Sequence, residues 1–187
     1  REASVAAEAE RSGRTPQEVA LEWLLERDGK AFFFAPLASY VDHNFDAIRE
    51  MVSHPSTVLG LSDGGAHCGL ICDASMTTFN LTHWDRERKR GDKLPVEFVV
   101  QQQTQRTAHL YGFTDRGEIT PGKRADINVI DFDNLQIHSP EMIFDLPAGG
   151  RRLVQYVDGY TATICAGQVT FENGKPTGAR PGRLVRA

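Results

Sequence analysis

A short apolar run, Thr57-Val58-Leu59-Gly60-Leu61, ends on Ser62-Asp63-Gly64-Gly65-Ala66-His67, and this junction constrains the fold more than any other stretch. An apolar run of that length bounded by turn residues reads as a buried strand. An acidic residue followed by two glycines reads as a turn that leaves a carboxylate exposed. The C-terminal end of a strand is where α/β barrels place their reactive groups. A plainer role fits the same residues, in which Asp63 only caps the turn that follows it. Spacing leaves both readings open.

The surrounding pattern favours an α/β chain. Thr15-Pro16-Gln17-Glu18 is a helix start, with Thr15 at the N-cap, Pro16 at the first helical position and Glu18 closing a capping box. Val19, Leu21, Trp23, Leu24 and Leu25 supply a buried face as far as Arg27, and Gly29 ends the helix. Ala31-Phe32-Phe33-Phe34-Ala35 then reads as a buried, parallel-type strand stopped by Pro36. Residues 43–52 predict the next helix, residues 58–61 the next strand, and residues 75–88 and 95–111 two further helices. Helix and strand in alternation with short connections is the rhythm of an α/β protein. From Gly117 the texture changes. Residues 127–132, 153–157, 161–165 and 168–172 are β-rich, with Ala166-Gly167 and Asn173-Gly174 as turns, while residues 133–150 read mostly as loop.

A second signature lies in that later half. Gly117-Glu118-Ile119-Thr120-Pro121-Gly122-Lys123-Arg124-Ala125-Asp126-Ile127-Asn128-Val129-Ile130-Asp131 resembles the segment by which amidohydrolase-superfamily enzymes return from their barrel to a small β-sandwich. With the Ser62–His67 motif before it and residues 173–182 after it, the chain resembles the C-terminal part of an N-acyl-D-amino-acid deacylase (D-aminoacylase) type amidohydrolase, from about residue 32 onward. The fold this resemblance implies is α/β. Residues 1–116 would be the last two strands and flanking helices of a (β/α)8 metal-dependent hydrolase barrel, and residues 117–187 part of the β-sandwich.

Amide hydrolysis needs an activated water, a polarised carbonyl and a proton for the leaving nitrogen. A divalent metal can supply the first two and a carboxylate the third. The resemblance makes Asp63 the general acid/base and a metal-site residue, next to zinc or another divalent ion in the complete enzyme. His67, Gly64 and Gly65 are the substrate-binding candidates, His67 also as a partner supporting Asp63; a loop histidine packed against a helix is an equal alternative. The chain holds no His-x-His pair, so by itself it carries half an active site and is expected to bind no catalytic metal. His83, beside Trp84, reads as a core or boundary residue. His43, His54, His109 and His138 have no motif context. Asp73 reads as a residue of a helix N-cap region. No arginine stands between Arg49 and Arg86, where the resemblance would place one for a substrate carboxylate.

A net charge of -4 argues against nucleic acid and anionic membrane as partners. The basic cluster Arg86-Glu87-Arg88-Lys89-Arg90 reads as a solvated helix end. Cys68, Cys72 and Cys165 are too few and too unevenly placed for a disulfide framework and read as packing thiols. With no membrane-length apolar run and no signal peptide, the expectation is a cytoplasmic protein acting on a small-molecule amide. Arg1 in place of Met, with residues 1–11 already helical in pattern, points to a piece of a longer chain. The missing N-terminal barrel part or a homo-oligomer would then cover its exposed strands. Two other functions share this pattern: a non-catalytic oligomerisation or interaction module, and a cyclic-amidase or deaminase on the same scaffold.

Overall fold

The first helix, α1 (Val5–Ser12), starts one residue after Ser4, whose hydroxyl accepts from the Ala7 N–H at 3.2 Å. That cap sets the helix start inside the sequence predicted to be helical throughout residues 1–11. The computed structural model describes residues 2–36, 38, 40, 42–60, 62–65 and 67–185. Leu61 and Ala66, both part of the expected strand and turn, lie outside the described residues.

The chain folds as two units, residues 1–48 and 49–187. In the first, α1 packs on α2 (Pro16–Gly29) through Ala9 and Val19, both buried. The capping box of α2 forms as the sequence predicts: the Thr15 hydroxyl accepts from the Glu18 N–H, and the Glu18 carboxylate accepts from the Thr15 N–H at 2.9 Å. Helical backbone stops at Leu25, because Glu26 is extended and Arg27 and Asp28 take left-handed conformations ahead of Gly29. Trp23 and Phe33 meet with ring centroids 6.2 Å apart, while Phe34 is 91% exposed. The division between the units falls within α3 (Asp46–Ser53), shorter than the helix expected over 43–52 because the Asn44 side chain accepts from the Asp46 N–H and starts it there.

Residues 31–36 and 57–60 carry no strand, contrary to the expectation of two parallel strands, and every strand pair among the described residues is antiparallel. A barrel strand is held by hydrogen bonds to neighbours on both sides, and among the described residues neither segment pairs with another strand. The α/β reading survives as a mixed helical and β-sheet chain, and no barrel is seen among the described residues.

The second unit has a helical part and a β part. Its helices are α4 (Met76–Leu81), a wider π-type stretch (Thr82–Glu87), α5 (Val96–Gln103) and α6 (Gln105–Leu110). Each long helix predicted here is broken: one widens at Thr82, and the other is interrupted at Thr104, whose backbone is not helical. The β part comprises β1 (Ile127–Ile130), β2 (Gln136–Ile137), β3 (Glu141–Leu146), β4 (Gly150–Val154), β5 (Val157–Asp158), β6 (Tyr160–Cys165), β7 (Gln168–Glu172) and β8 (Lys175–Pro176). The largest sheet runs β1-β6-β7-β8, and β2 pairs with β5. The hairpin β3–β4 fills the stretch expected to be mostly loop; Met142, Ile143 and Phe144 are its β-forming residues, and Pro147 with left-handed Ala148 and Gly149 makes its turn.

Two joints tie helices to sheet. The Arg86 guanidinium donates to the carbonyls of Phe132 (2.7 Å), Asp133 (3.3 Å) and Leu135, and lies over the Phe132 ring. The Thr78 hydroxyl and Tyr160 phenol share a hydrogen bond of 2.9 Å. Arg88 is buried against Trp84 and Arg86 is engaged with the β part, whereas Glu87, Lys89 and Arg90 are exposed, so the basic run is in part structural and in part the solvated helix end its charge predicts. The core gathers Leu81, Trp84, Leu94, Val99, Ala108 and Leu135.

Leu135 has no solvent exposure. Leu135→Ala is expected to lower the unfolding free energy by about 2–5 kcal/mol, the range for deleting a buried leucine side chain. Urea denaturation followed by circular dichroism checks this, and a loss under about 1 kcal/mol would place Leu135 outside the core.

Candidate active site

Ser62 is half-buried, whereas Asp63, Gly64 and Gly65 are exposed on a turn. The Ser62 hydroxyl donates to the Asp73 carbonyl at 2.8 Å and accepts the Gly64 N–H at 3.3 Å. A side chain on Gly64 would meet the Ala74 backbone nitrogen at 2.9 Å, so the turn is pressed against residues 73–74 by a residue without Cβ. Gly65, with φ of 97°, takes a conformation other residues rarely adopt. The turn expected from the double glycine is therefore present. The expected placement of Asp63 at the end of a strand is not seen, because residues 57–60 form no strand, and Asp63 is exposed.

His67 also has a left-handed backbone, with φ of 44°, and is exposed. Its carbonyl accepts from the N–H groups of Leu70 (2.7 Å) and Ile71 (3.1 Å), so the residue opens a single tight coil. Among the described residues no hydrogen bond or ion pair joins its imidazole to Asp63, and the structure does not bring the two together as partners. Of the substrate-binding candidates, the Gly64 amide is already engaged by Ser62.

The loop after Asp63 is held by the β part of the same unit. The Leu153 N–H in β4 donates to the Cys68 carbonyl at 2.6 Å, and the Ser75 hydroxyl donates to the Gln155 side chain, which in turn donates to the His138 carbonyl at 2.8 Å. The Arg151 side chain runs beside Gly69. Ser75 is the N-cap of α4, and Asp73, two residues before it, contributes its backbone carbonyl to the Met76 N–H. The sequence pattern reads residues 153–157 only as β-rich, and no signal in it pairs them with a loop some eighty positions earlier.

His83 is half-buried, stacked on Phe79 at 4.9 Å and edge-on to Trp84 at 4.9 Å. Burial and then the Arg88 cation hold its pKa below the usual histidine value, against a smaller opposing pull from Glu87. This is the core or boundary histidine the sequence predicts. His138 gains the partner its sequence context did not reveal, with Nε2 2.7 Å from the Asp158 carboxylate.

The three cysteines are free thiols, and burial, followed by the Asp73 carboxylate, pushes the Cys72 thiol up. Among the described residues no three His, Cys, Asp or Glu side chains gather in a group that could hold a metal ion. The donors present do not fit a catalytic metal, since a stable site needs three or four protein ligands and Asp63 offers one carboxylate.

The model of the amidohydrolase family matches residues 20–171, and the chain belongs to that family. The match supports a hydrolase. Comparison with curated proteins and with solved structures returns no match. No helix among the described residues is long and apolar enough to cross a membrane.

A pH prediction follows from His83. Its depressed folded value means the unfolded chain takes up the proton first as pH falls, so its contribution to stability is complete above the unfolded value of about 6.5 and is lost as pH drops through the lower folded one. Urea denaturation of the wild type and His83→Phe near pH 7.5 and pH 5 should show a smaller acid-induced loss in the variant. Equal losses would show that His83 titrates alike in both states.

Proposed function

We propose that this chain carries the proton-transfer loop of a metal-dependent amidohydrolase that cleaves the C–N bond of an acylated amine such as an N-acyl-D-amino acid, with Asp63 as general acid/base. The observation that carries the reading is the family match over residues 20–171, which spans the Ser62–Gly65 turn and the Gly117–Asp131 segment together. Exposure of Asp63 on a turn braced from behind fits a group that must reach a reacting molecule. In the reaction, the Asp63 carboxylate takes a proton from the attacking water as the C–O bond forms. It then returns that proton to the nitrogen as the C–N bond breaks, leaving a carboxylic acid and an amine and restoring the carboxylate. The ligands for zinc or another divalent ion would come from residues beyond the donor set described above.

Residues 31–35 and 57–61 would be strands of a (β/α)8 barrel once neighbours pair with them, and residues 117–187 part of a β-sandwich. The exposure of Phe32, Phe33 and Phe34, at 47%, 42% and 91%, supports a covering partner there, either further barrel strands or a second copy. The same exposure favours a second reading, a non-catalytic oligomerisation module. Free thiols support a reducing, cytoplasmic setting.

Asp63→Asn in the natively expressed protein separates the two. With N-acetyl-D-amino acids as substrates and circular dichroism unchanged, kcat is expected to fall by about 10²–10⁴-fold, the usual loss for a general acid/base. Retention of more than about a tenth of wild-type kcat would remove Asp63 from this role. A wild type inert towards every N-acyl amino acid would remove the substrate class and favour the module.

A further inference from the structure

Asp63 stands between two residues whose backbone and side chain are tied down, although its own carboxylate is exposed. Ser62 lies before it, half-buried, and the Ser62 hydroxyl is used twice: its proton goes to the Asp73 carbonyl and its oxygen receives the Gly64 N–H. The first bond crosses eleven residues, and the second arches over Asp63 itself. One hydroxyl therefore fixes both ends of the residue that carries the carboxylate.

The anchor is itself immobilised. Asp73 gives its carbonyl also to the Met76 N–H at the start of α4, and two residues on from Asp73 the Ser75 hydroxyl is bonded to Gln155. Gln155 is fastened in turn to the His138 backbone between β2 and β5. Behind the turn, the Cα of Gly64 is pressed so near Ala74 that a methyl group would stand 2.9 Å from its nitrogen and 3.0 Å from its Cα. Both are backbone atoms and cannot swing away.

We propose that Ser62 is a positioning residue for Asp63: its hydroxyl, bridging the Asp73 carbonyl and the Gly64 amide, holds the Asp63 carboxylate at the place where it meets the reacting water and nitrogen, and the Gly64–Ala74 contact sets the depth of that turn. This rests on the acid/base reading of Asp63. An exposed carboxylate on an unbraced turn would sample many positions, and misplacing a reacting group by about 1 Å can cost about 10²-fold in rate. A hydroxyl that both donates and accepts can be replaced in this bridge by threonine and not by alanine.

The test uses the natively expressed protein with N-acetyl-D-amino acids as the probe, and compares Ser62→Ala, Ser62→Thr, Gly64→Ala and Asp63→Asn. Ser62→Ala and Gly64→Ala should lower kcat by about 10–100-fold with KM within about twofold, and Ser62→Thr should restore kcat to within about threefold of wild type. Amide hydrogen exchange over residues 62–65 should quicken in Ser62→Ala and not in Ser62→Thr, with exchange over α5 unchanged. If Asp63→Asn is inactive while Ser62→Ala keeps the wild-type kcat, the positioning role is overturned and the acid/base reading stands. If Asp63→Asn is active, that reading falls with the positioning role that rests on it. Unchanged exchange over 62–65 in Ser62→Ala overturns the bridge itself, whatever the kinetics.

Discussion

The Arg86 guanidinium is the joint on which the second unit depends. It reaches from the π-type stretch to three carbonyl oxygens, on Phe132, Asp133 and Leu135, and its central carbon lies 5.8 Å from the Phe132 ring centroid. A guanidinium can do this because it presents several donors in one rigid fan, which a lysine ammonium does not. The Phe132 carbonyl also takes the Leu135 N–H at 3.3 Å, so the guanidinium adds a second donor to a turn already closed by the backbone. Leu135, whose carbonyl takes one of these bonds, is fully buried and stands directly before β2, which pairs with β5.

From that joint the bracing reaches the candidate site. β2 and β5 are paired over only two residues each, and the hairpin β3–β4 is the excursion between them. Its return strand meets the loop after Asp63 at Cys68, and Gln155, just beyond that strand, meets Ser75. The described residues of this loop contain no helix or strand, and these contacts add to the bonds from Ser62 to Asp73 and from Leu70 and Ile71 to His67. That division of labour, a loop bearing the reactive group and a sheet steadying it, is common where a site must be accurate yet accessible.

Local chemistry was legible in the sequence wherever a few neighbouring residues decide the outcome. The capping box of Thr15 and Glu18 and the Ala166-Gly167 reversal between β6 and β7 are set by interactions within about five positions. What could not be read depends on distant partners. Phe32-Phe33-Phe34 has the composition of a strand, but a strand exists only when another lies beside it. The break at Thr104 and the role of Arg86 likewise answer to packing across the unit, and the hairpin was hidden because Pro140, Pro147 and the paired glycines that shape its ends also read as loop. The amidohydrolase resemblance was legible at the level of the family, through the order and spacing of two motifs. The strand-end setting of Asp63 was not, for the reason that applies to Phe32.

The π-type stretch at Thr82–Glu87 has a consequence for how this chain can change over evolutionary time. A wider turn accommodates one more residue than an α-helix over the same rise, so it behaves as a helix that has absorbed an insertion. Trp84, bonded to Asn80 at 3.1 Å, faces inward on the near side of the bulge, while Arg86 leaves on the far side toward the Phe132 carbonyl. Loss of a single residue between them would let the segment relax to an ordinary helix with its hydrogen bonds intact. Because the extra residue is held within the same rise, the two ends of the helix would keep their places after such a deletion, and the stretch is a point at which this chain can shed a residue without losing any element of secondary structure.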